Sequence, residues 1–286
     1  MRFAMVRDTS RHGIALADEQ GCLRVRWQGE SAWPGTLQAL VASGQAALRE
    51  AGRVLAQSPE IDPSAVRFLP PLGAPSKIVC IGLNYADHTS EVGQQAPSYP
   101  TVFARFASSL VGHDEPIVRP RVSTDLDYEG EFVAVIGRGG RDIAKARALD
   151  HVIGYSVFND ASIRDYQMRT PQWTVGKNFD ATGAFGPYFV TADELPPGAT
   201  GLSIQTRLNG QIVQQASTAD MMFDVATQVS LLSEAFTWEP GDIIVTGTPA
   251  GVGMGRKPPL WMKPGDVCEV EVEGIGLLRN PIAEAA

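Results

Sequence analysis

Residues 124–137 read TDLDYEGEFVAVIG, and they set the fold class of the chain. Asp125, Asp127, Glu129 and Glu131 alternate at period two, so on an extended chain all four point to one side. The run Phe132–Ile136 that follows is β-branched and apolar, as expected of a strand entering a core. Like charges on one strand face lie roughly 7 Å apart, so crowding them at the mouth of a buried strand calls for a compensating cation. Gly130, between the two glutamates, leaves room for close approach of another segment. Two glutamates alone would read as a solvated strand end. Asp160 changes the balance, because it closes a second strand-like run, HVIGYSVFND, where its side chain reaches the rim of a pocket. Three oxygen donors without Cys or His favour a hard dication, Mg²⁺ or Mn²⁺, with Ca²⁺ able to take the same place.

Outward from this segment, KIVCIG, LSIQTRLNG, DIIVTG and DVCEVEVEG are short runs ended by Gly or Asn and read as strands. Asn209-Gly210 marks a hairpin. Helices are expected over the stretch near TLQALVASGQAALREAG, after Asp142, and over FDVATQVSLLSEAF. Pro59, Pro63, Pro70, Pro71 and Pro75 read as a linker between a small α+β accessory domain, residues 1–70, and a catalytic domain, residues 71–286. There is no internal repeat and no regular βαβ alternation, so the expected class is α+β and strand-rich, not a Rossmann domain or a TIM barrel.

Composition narrows the function. The net charge of −8 opposes nucleic-acid binding, while a bound dication would still admit an anionic substrate. No run is long enough to span a bilayer, and the charged N-terminus is unlike a signal peptide. A cytoplasmic location with Cys22, Cys80 and Cys268 as free thiols is the expectation. HExxH, GxSxG, the dinucleotide fingerprint and the P-loop pattern are all missing from the chain.

Two further constellations accompany the carboxylates. In GLNYADHTSE, His88 and Glu91 share a face if residues 85–91 are helical, the arrangement of a general base oriented by a carboxylate or of a surface pair. In SIRDYQ and QWTVGKNFD, Arg164 and Gln167 follow Asp160 closely, and Lys177 is placed to stabilise an enolate or oxyanion. Surface ion pairs are the competing account for both. Thr246 and Thr248 end a strand in GDIIVTGTPAGVG, where they offer donors to an anion or simply close a turn.

GLNYADH, DYEGEF, GYSVFNDASIRDYQ, QWTVGKNFD and DIIVTGTPAGVG, in this order, make residues 77–281 resemble the fumarylacetoacetate hydrolase family. The resemblance implies a mixed β-sandwich roll, a homodimer, and Mg²⁺ or Mn²⁺ held by Glu129, Glu131 and Asp160. It implies that His88 and Glu91 activate water on a lid, with Lys177 catalytic and Arg164, Gln167, Thr248 and Tyr85 touching substrate. It departs from the family where Leu83 stands for a frequent Arg or Lys, and where Arg105 stands near a frequent Lys. The implied reaction is hydrolysis of a carbon–carbon bond in a 1,3-diketo acid such as an acylpyruvate or a fumarylpyruvate-like acid. Decarboxylation of an oxaloacetate-type acid, hydratase or isomerase chemistry on a 2-oxo acid, and a non-catalytic metal-stabilised binding protein are the alternatives.

Overall fold

The computed structural model describes residues 1–91 and 98–286, with residues 88–90 as backbone only. The strand Gly130–Ile136 lies at its centre, and every residue in it is buried. It is flanked by Val152–Asp160 on one side and Ile243–Val245 on the other, both antiparallel to it. With neighbours on both edges and layers on both faces, the strand reads as a continuous apolar run and not as an alternating one.

Its two faces enter different cores. Phe132, Ala134 and Ile136 pack with Ile204, Val270 and Leu278 of a second, five-stranded sheet. Val133 and Val135 pack with Phe158, Val245 and Leu37, Leu40, Leu48 and Leu55 of the N-terminal helices. Glu129 and Glu131 continue this second face by parity. One end of the face is thus apolar beneath helices, and the other end is acidic.

The large sheet is mixed: Ile78–Gly82 joins Ile243–Val245 in parallel, and Thr101–Ala104 closes that edge antiparallel. At the opposite side the sheet runs on into the N-terminal segment, because Arg2–Arg7 pairs with Gly183–Thr191 through Arg2↔Val190 and Phe3↔Phe189. Residues 1–70 therefore share a sheet and an apolar layer with the rest of the chain, and hydrogen bonding does not stop at the proline-rich stretch. The strand-rich α+β architecture with mixed sheets is as the sequence implies.

Three local outcomes refine the sequence reading. The expected helix near residue 40 is two helices, Leu37–Ser43 and Gln45–Ala56. They break at Gly44, whose φ of 87° is left-handed and suits glycine. The segment after Asp142 is a 3₁₀ stretch, Lys145–His151. The hairpin forms as expected, with Ser203–Leu208 and Gln211–Ser217 joined by Asn209 and Gly210, both at positive φ.

Candidate metal centre and cleft

Glu129, Glu131 and Asp160 converge as expected: one carboxylate oxygen from each lies within 4.8 Å of the others, and all three residues are buried. Two adjacent strands make this convergence, since Gly130 pairs with Asn159 and Glu131 with Phe158. Asp160 also donates its backbone N–H to the Glu129 carbonyl at 2.8 Å. Gly130 permits a third segment to close in, for a Cβ there would stand 2.0 Å from Thr206 Oγ1.

Of the four alternating acids only these two glutamates reach the cluster. Asp127 turns away and is fully buried, accepting from the backbone N–H groups of Gly253 at 2.7 Å and Met254 at 3.0 Å and pairing with Arg164 at 2.8 Å. The chain is not one continuous strand here: Leu126–Asp127 pairs separately with Ser162–Ile163.

Three buried cations surround the acids. Lys177 Nζ donates to Glu129 Oε2 at 2.7 Å and to Asp160 Oδ2 at 2.6 Å. Arg164 Nη1 lies 2.6 Å from Glu129 Oε1 and donates to Gln167 Oε1 at 2.8 Å. Its Nη2 is buried and has no hydrogen-bond partner among the described residues. Arg105 pairs with Asp160 Oδ1 from behind, anchored by Thr182 Oγ1 at 2.7 Å and Ser109 Oγ at 3.2 Å. It does not line the cleft, so it holds a carboxylate in place and does not reach a ligand.

Burial pulls the Lys177 ammonium down, but Asp160 and Glu129 outweigh it and leave its pKa above the ordinary lysine value. Burial, then Asp160 and Glu129, push the Glu131 carboxyl well above the usual range, against the pull of Lys177 and of the Gly247 N–H 2.5 Å away. The cluster is thus under-compensated even with Lys177 in place. A hard dication fits these donors, since it supplies the missing positive charge to three converging oxygens.

This has a measurable consequence. With its folded pKa above the unfolded one, Glu131 contributes stability that is present at low pH and lost as pH rises through the folded pKa. A dication requires the deprotonated carboxylate, so the stabilisation it adds should grow over the same rise. Thermal unfolding in saturating Mg²⁺ and in EDTA, between about pH 5 and about pH 8, is expected to show a widening gap. A gap constant with pH would contradict Glu131 as a ligand.

The cluster opens onto a cleft through Glu129 and Glu131. Arg164, Gln167, Lys177 and Thr248 line it together with Glu129 and Glu131, as the sequence reading grouped them. The Thr248 hydroxyl is engaged with the scaffold, donating to the Gly130 carbonyl at 3.0 Å and accepting from Gln214 Nε2 at 2.8 Å. Thr246 donates to the Phe132 carbonyl at 3.0 Å and serves the strand. Ile81, Leu83, Phe103, Trp173, Met168 and Met254 form the apolar walls. The sequence reading named Leu83 only as a departure from the family and did not single out the other walls, although Ile81 and Trp173 stood inside quoted runs.

Ala86–Glu91 is helical, which meets the condition set for pairing His88 with Glu91 on one face. Glu91 docks on the loop after Thr248, accepting from the Gly251 N–H at 3.0 and 3.1 Å. The side chain of His88 lies outside the described residues. Tyr85 is buried and lines a neighbouring cavity with Asp220 and Gln215, next to the cleft and not within its lining. Among the described residues no helix is long and apolar enough to cross a membrane.

A buried Glu–Glu–Asp cluster at the end of a mixed sheet, beside a cleft lined by fixed cations, offers three oxygen donors that could hold a divalent ion. The chain belongs to the fumarylacetoacetate hydrolase family: the family model "Fumarylacetoacetate (FAA) hydrolase C-terminal" matches residues 77–283. An uncharacterized protein of Archaeoglobus fulgidus is 44% identical over 77% of this chain and 84% of its own length. The mitochondrial oxaloacetate tautomerase Fahd2a of Rattus norvegicus is 41% identical over 88% of this chain and 81% of its own. Among solved structures, the fumarylacetoacetate hydrolase of Exiguobacterium antarcticum superposes over the whole of both chains with a TM-score of 0.87 at 36% identity. The 5-carboxymethyl-2-hydroxymuconate delta-isomerase of Mycobacterium smegmatis does so with a TM-score of 0.77 at 29% identity.

Proposed function

We propose that the protein is a divalent-metal-dependent enzyme that interconverts the keto and enol forms of a small 2-oxo acid of the oxaloacetate type. The observation that carries this reading is the placement of Lys177 Nζ, locked between Glu129 and Asp160 at the floor of the cleft with Arg164 alongside. The names of relatives near 41% identity, oxaloacetate tautomerases, support it. Glu129, Glu131 and Asp160 would hold Mg²⁺ or Mn²⁺, which supplies Lewis acidity and a template for the 2-oxo acid. Arg164 Nη2 offers its unused donor to a substrate carboxylate. The Lys177 ammonium, fixed by its two carboxylate partners, stabilises negative charge developing on the keto oxygen as the neighbouring carbon loses its proton. The helix Ala86–Glu91, tied to Gly251 by Glu91, carries His88 as the group that moves that proton.

The test follows the decay of enol oxaloacetate by absorbance, with Mg²⁺ or Mn²⁺ and again in EDTA. Metal-dependent acceleration without pyruvate supports the tautomerase. Pyruvate formation moves the reading to a decarboxylase, and the absence of any acceleration rejects both.

Hydrolytic carbon–carbon cleavage of a 1,3-diketo acid is the second reading, favoured by the helix Ala86–Glu91, whose Glu91 accepts from the Gly251 N–H in the loop after Thr248, a residue of the cleft lining. There His88 would activate water, with Glu91 orienting it. His88→Ala is expected to lower hydrolysis of an acylpyruvate by about 10²-fold or more while the metal still binds. Loss of the metal in that variant would reject the assigned role. A homodimer accords with either reading: the sheet-edge strand Thr101–Ala104 leaves Val102 exposed, with Phe106 close by.

A further inference from the structure

Asp127 lies outside the carboxylate cluster, yet it is fully buried. Its two oxygens accept from four N–H groups. Oδ1 takes those of Tyr128 at 2.9 Å and Gly253 at 2.7 Å; Oδ2 takes that of Met254 at 3.0 Å and Arg164 Nε at 2.8 Å. The backbone brings the pair together, because Asp127 stands opposite Ser162 in the short antiparallel ladder and the Arg164 N–H donates to the Asp125 carbonyl at 2.9 Å. Glycine at 253 lets the loop close on the carboxylate, since a Cβ there would stand 2.5 Å from Oδ1.

Arg164 is thereby held at two points of a planar fork. Nε meets Asp127, while Nη1 meets Glu129 Oε1 at 2.6 Å and Gln167 Oε1 at 2.8 Å. Nη2 stays buried without a hydrogen-bond partner among the described residues, and Arg164 lines the cleft. A guanidinium pinned at one nitrogen can pivot about that contact. Pinned at Nε and Nη1, its plane and the direction of Nη2 are both set. The two anchors differ in kind: Glu129 belongs to the cluster and accepts from Lys177, whereas Asp127 contributes no oxygen to the cluster. Without Asp127, Arg164 could turn both η nitrogens onto Glu129, the two-pronged geometry that arginine favours with a carboxylate. Nη2 would then be spent on a cluster residue and lost to a ligand.

We propose that Asp127 is a positioning residue for ligand binding: it holds Arg164 by Nε so that Nη2 faces the cleft and meets the carboxylate of the 2-oxo acid. This deepens the 2-oxo acid reading above and rests on it. Asp127 acts through Arg164 and touches neither metal nor substrate. Its hold on the Met254 N–H fixes a second cleft-lining residue from the same oxygen, so the loop and the guanidinium keep one register.

A double-mutant cycle read by oxamate binding tests this without turnover. Calorimetry gives the affinity of the Mg²⁺- or Mn²⁺-loaded protein for oxamate in the wild type, Asp127→Asn, Arg164→Met and the double variant, with thermal unfolding to check that each is folded. Asp127→Asn puts an amide nitrogen where an oxygen accepted, and is expected to weaken oxamate by at least about ten-fold, the effect of losing a hydrogen bond to a charged group. In the Arg164→Met background the same change should cost less than about three-fold more, because the residue through which Asp127 acts is gone. Metal affinity should hold within about three-fold, since Asp127 supplies no ligand. Should a single variant fail to fold, Asp127→Ser or Arg164→Lys takes its place with the same expected losses. Three results overturn the inference and leave the 2-oxo acid reading intact: a smaller loss in Asp127→Asn, an equal further loss in the Arg164→Met background, or a parallel loss of metal. Failure of the wild type to bind oxamate in a metal-dependent way would remove that reading, and the inference with it.

Discussion

Glu129→Ala is expected to abolish metal-dependent turnover, with a fall of about 10³-fold or more, and to weaken Mg²⁺ or Mn²⁺ by more than about 100-fold. The size of the effect follows from how many partners converge on this side chain. It supplies one of three oxygens in the cluster, accepts from Lys177, and pairs with Arg164 at 2.6 Å. Removing it takes away a ligand and leaves two buried cations short of a counter-charge, a change of about 3–5 kcal/mol for a broken buried pair. Glu129→Gln separates these effects, because the amide oxygen still accepts hydrogen bonds while the charge is gone. Metal affinity is read by calorimetry and folding by thermal unfolding in EDTA. Unchanged turnover in Glu129→Ala, with the protein folded, would reject the cluster as the metal site.

Lys177→Met is expected to give the opposite signature. The side chain keeps its length and its packing near Phe103, but the ammonium between Glu129 and Asp160 disappears. The metal-free protein should lose about 3–5 kcal/mol, because carboxylates are left buried without their cation. A dication should still bind, and no more weakly than before, since it no longer competes with the Lys177 charge. Turnover should nevertheless fall by about 10²–10³-fold, the usual effect of removing one preorganised group that stabilises developing charge. The pair of variants thus dissociates ligation from catalysis: metal and activity are lost together at Glu129, whereas at Lys177 activity is lost with the metal retained. A Lys177→Met protein that turns over normally would show that the ammonium is a structural counter-ion only.

Much of this site was legible in the chain because its parts lie in short local patterns. Glu129 and Glu131 announce themselves by their spacing before an apolar strand, and Asp160 by its place at the end of another. Arg164, Gln167 and Lys177 follow within the next eighteen residues of the sequence. Where the reading by period went too far was at Asp125 and Asp127. Four acids at period two would all face one way only on an uninterrupted strand, and the strand begins at Gly130. Asp127 is captured instead by two backbone N–H groups and Arg164, partners that lie up to 127 residues away in sequence. Arg105 is a comparable case. The sequence marked it only as standing near a frequent lysine of the family; its position behind Asp160, held by Thr182 and Ser109, depends on segments that meet only in the fold.

The sequence by itself determined the strand-rich class, the hairpin at Asn209-Gly210 and the set of metal-competent carboxylates. Each of these rests on periodicity or turn chemistry, which act over a few residues. Tertiary structure alone decided that residues 1–70 join the central sheet through the pairing of Arg2–Arg7 with Gly183–Thr191. It also decided that helices cover one end of a face of that sheet and leave the other end to the acids, and that Leu83, Phe103 and Trp173 line one cleft with Arg164. Pairing between distant strands and the sorting of buried charge depend on which segments meet across the core. No local pattern in a chain records that meeting.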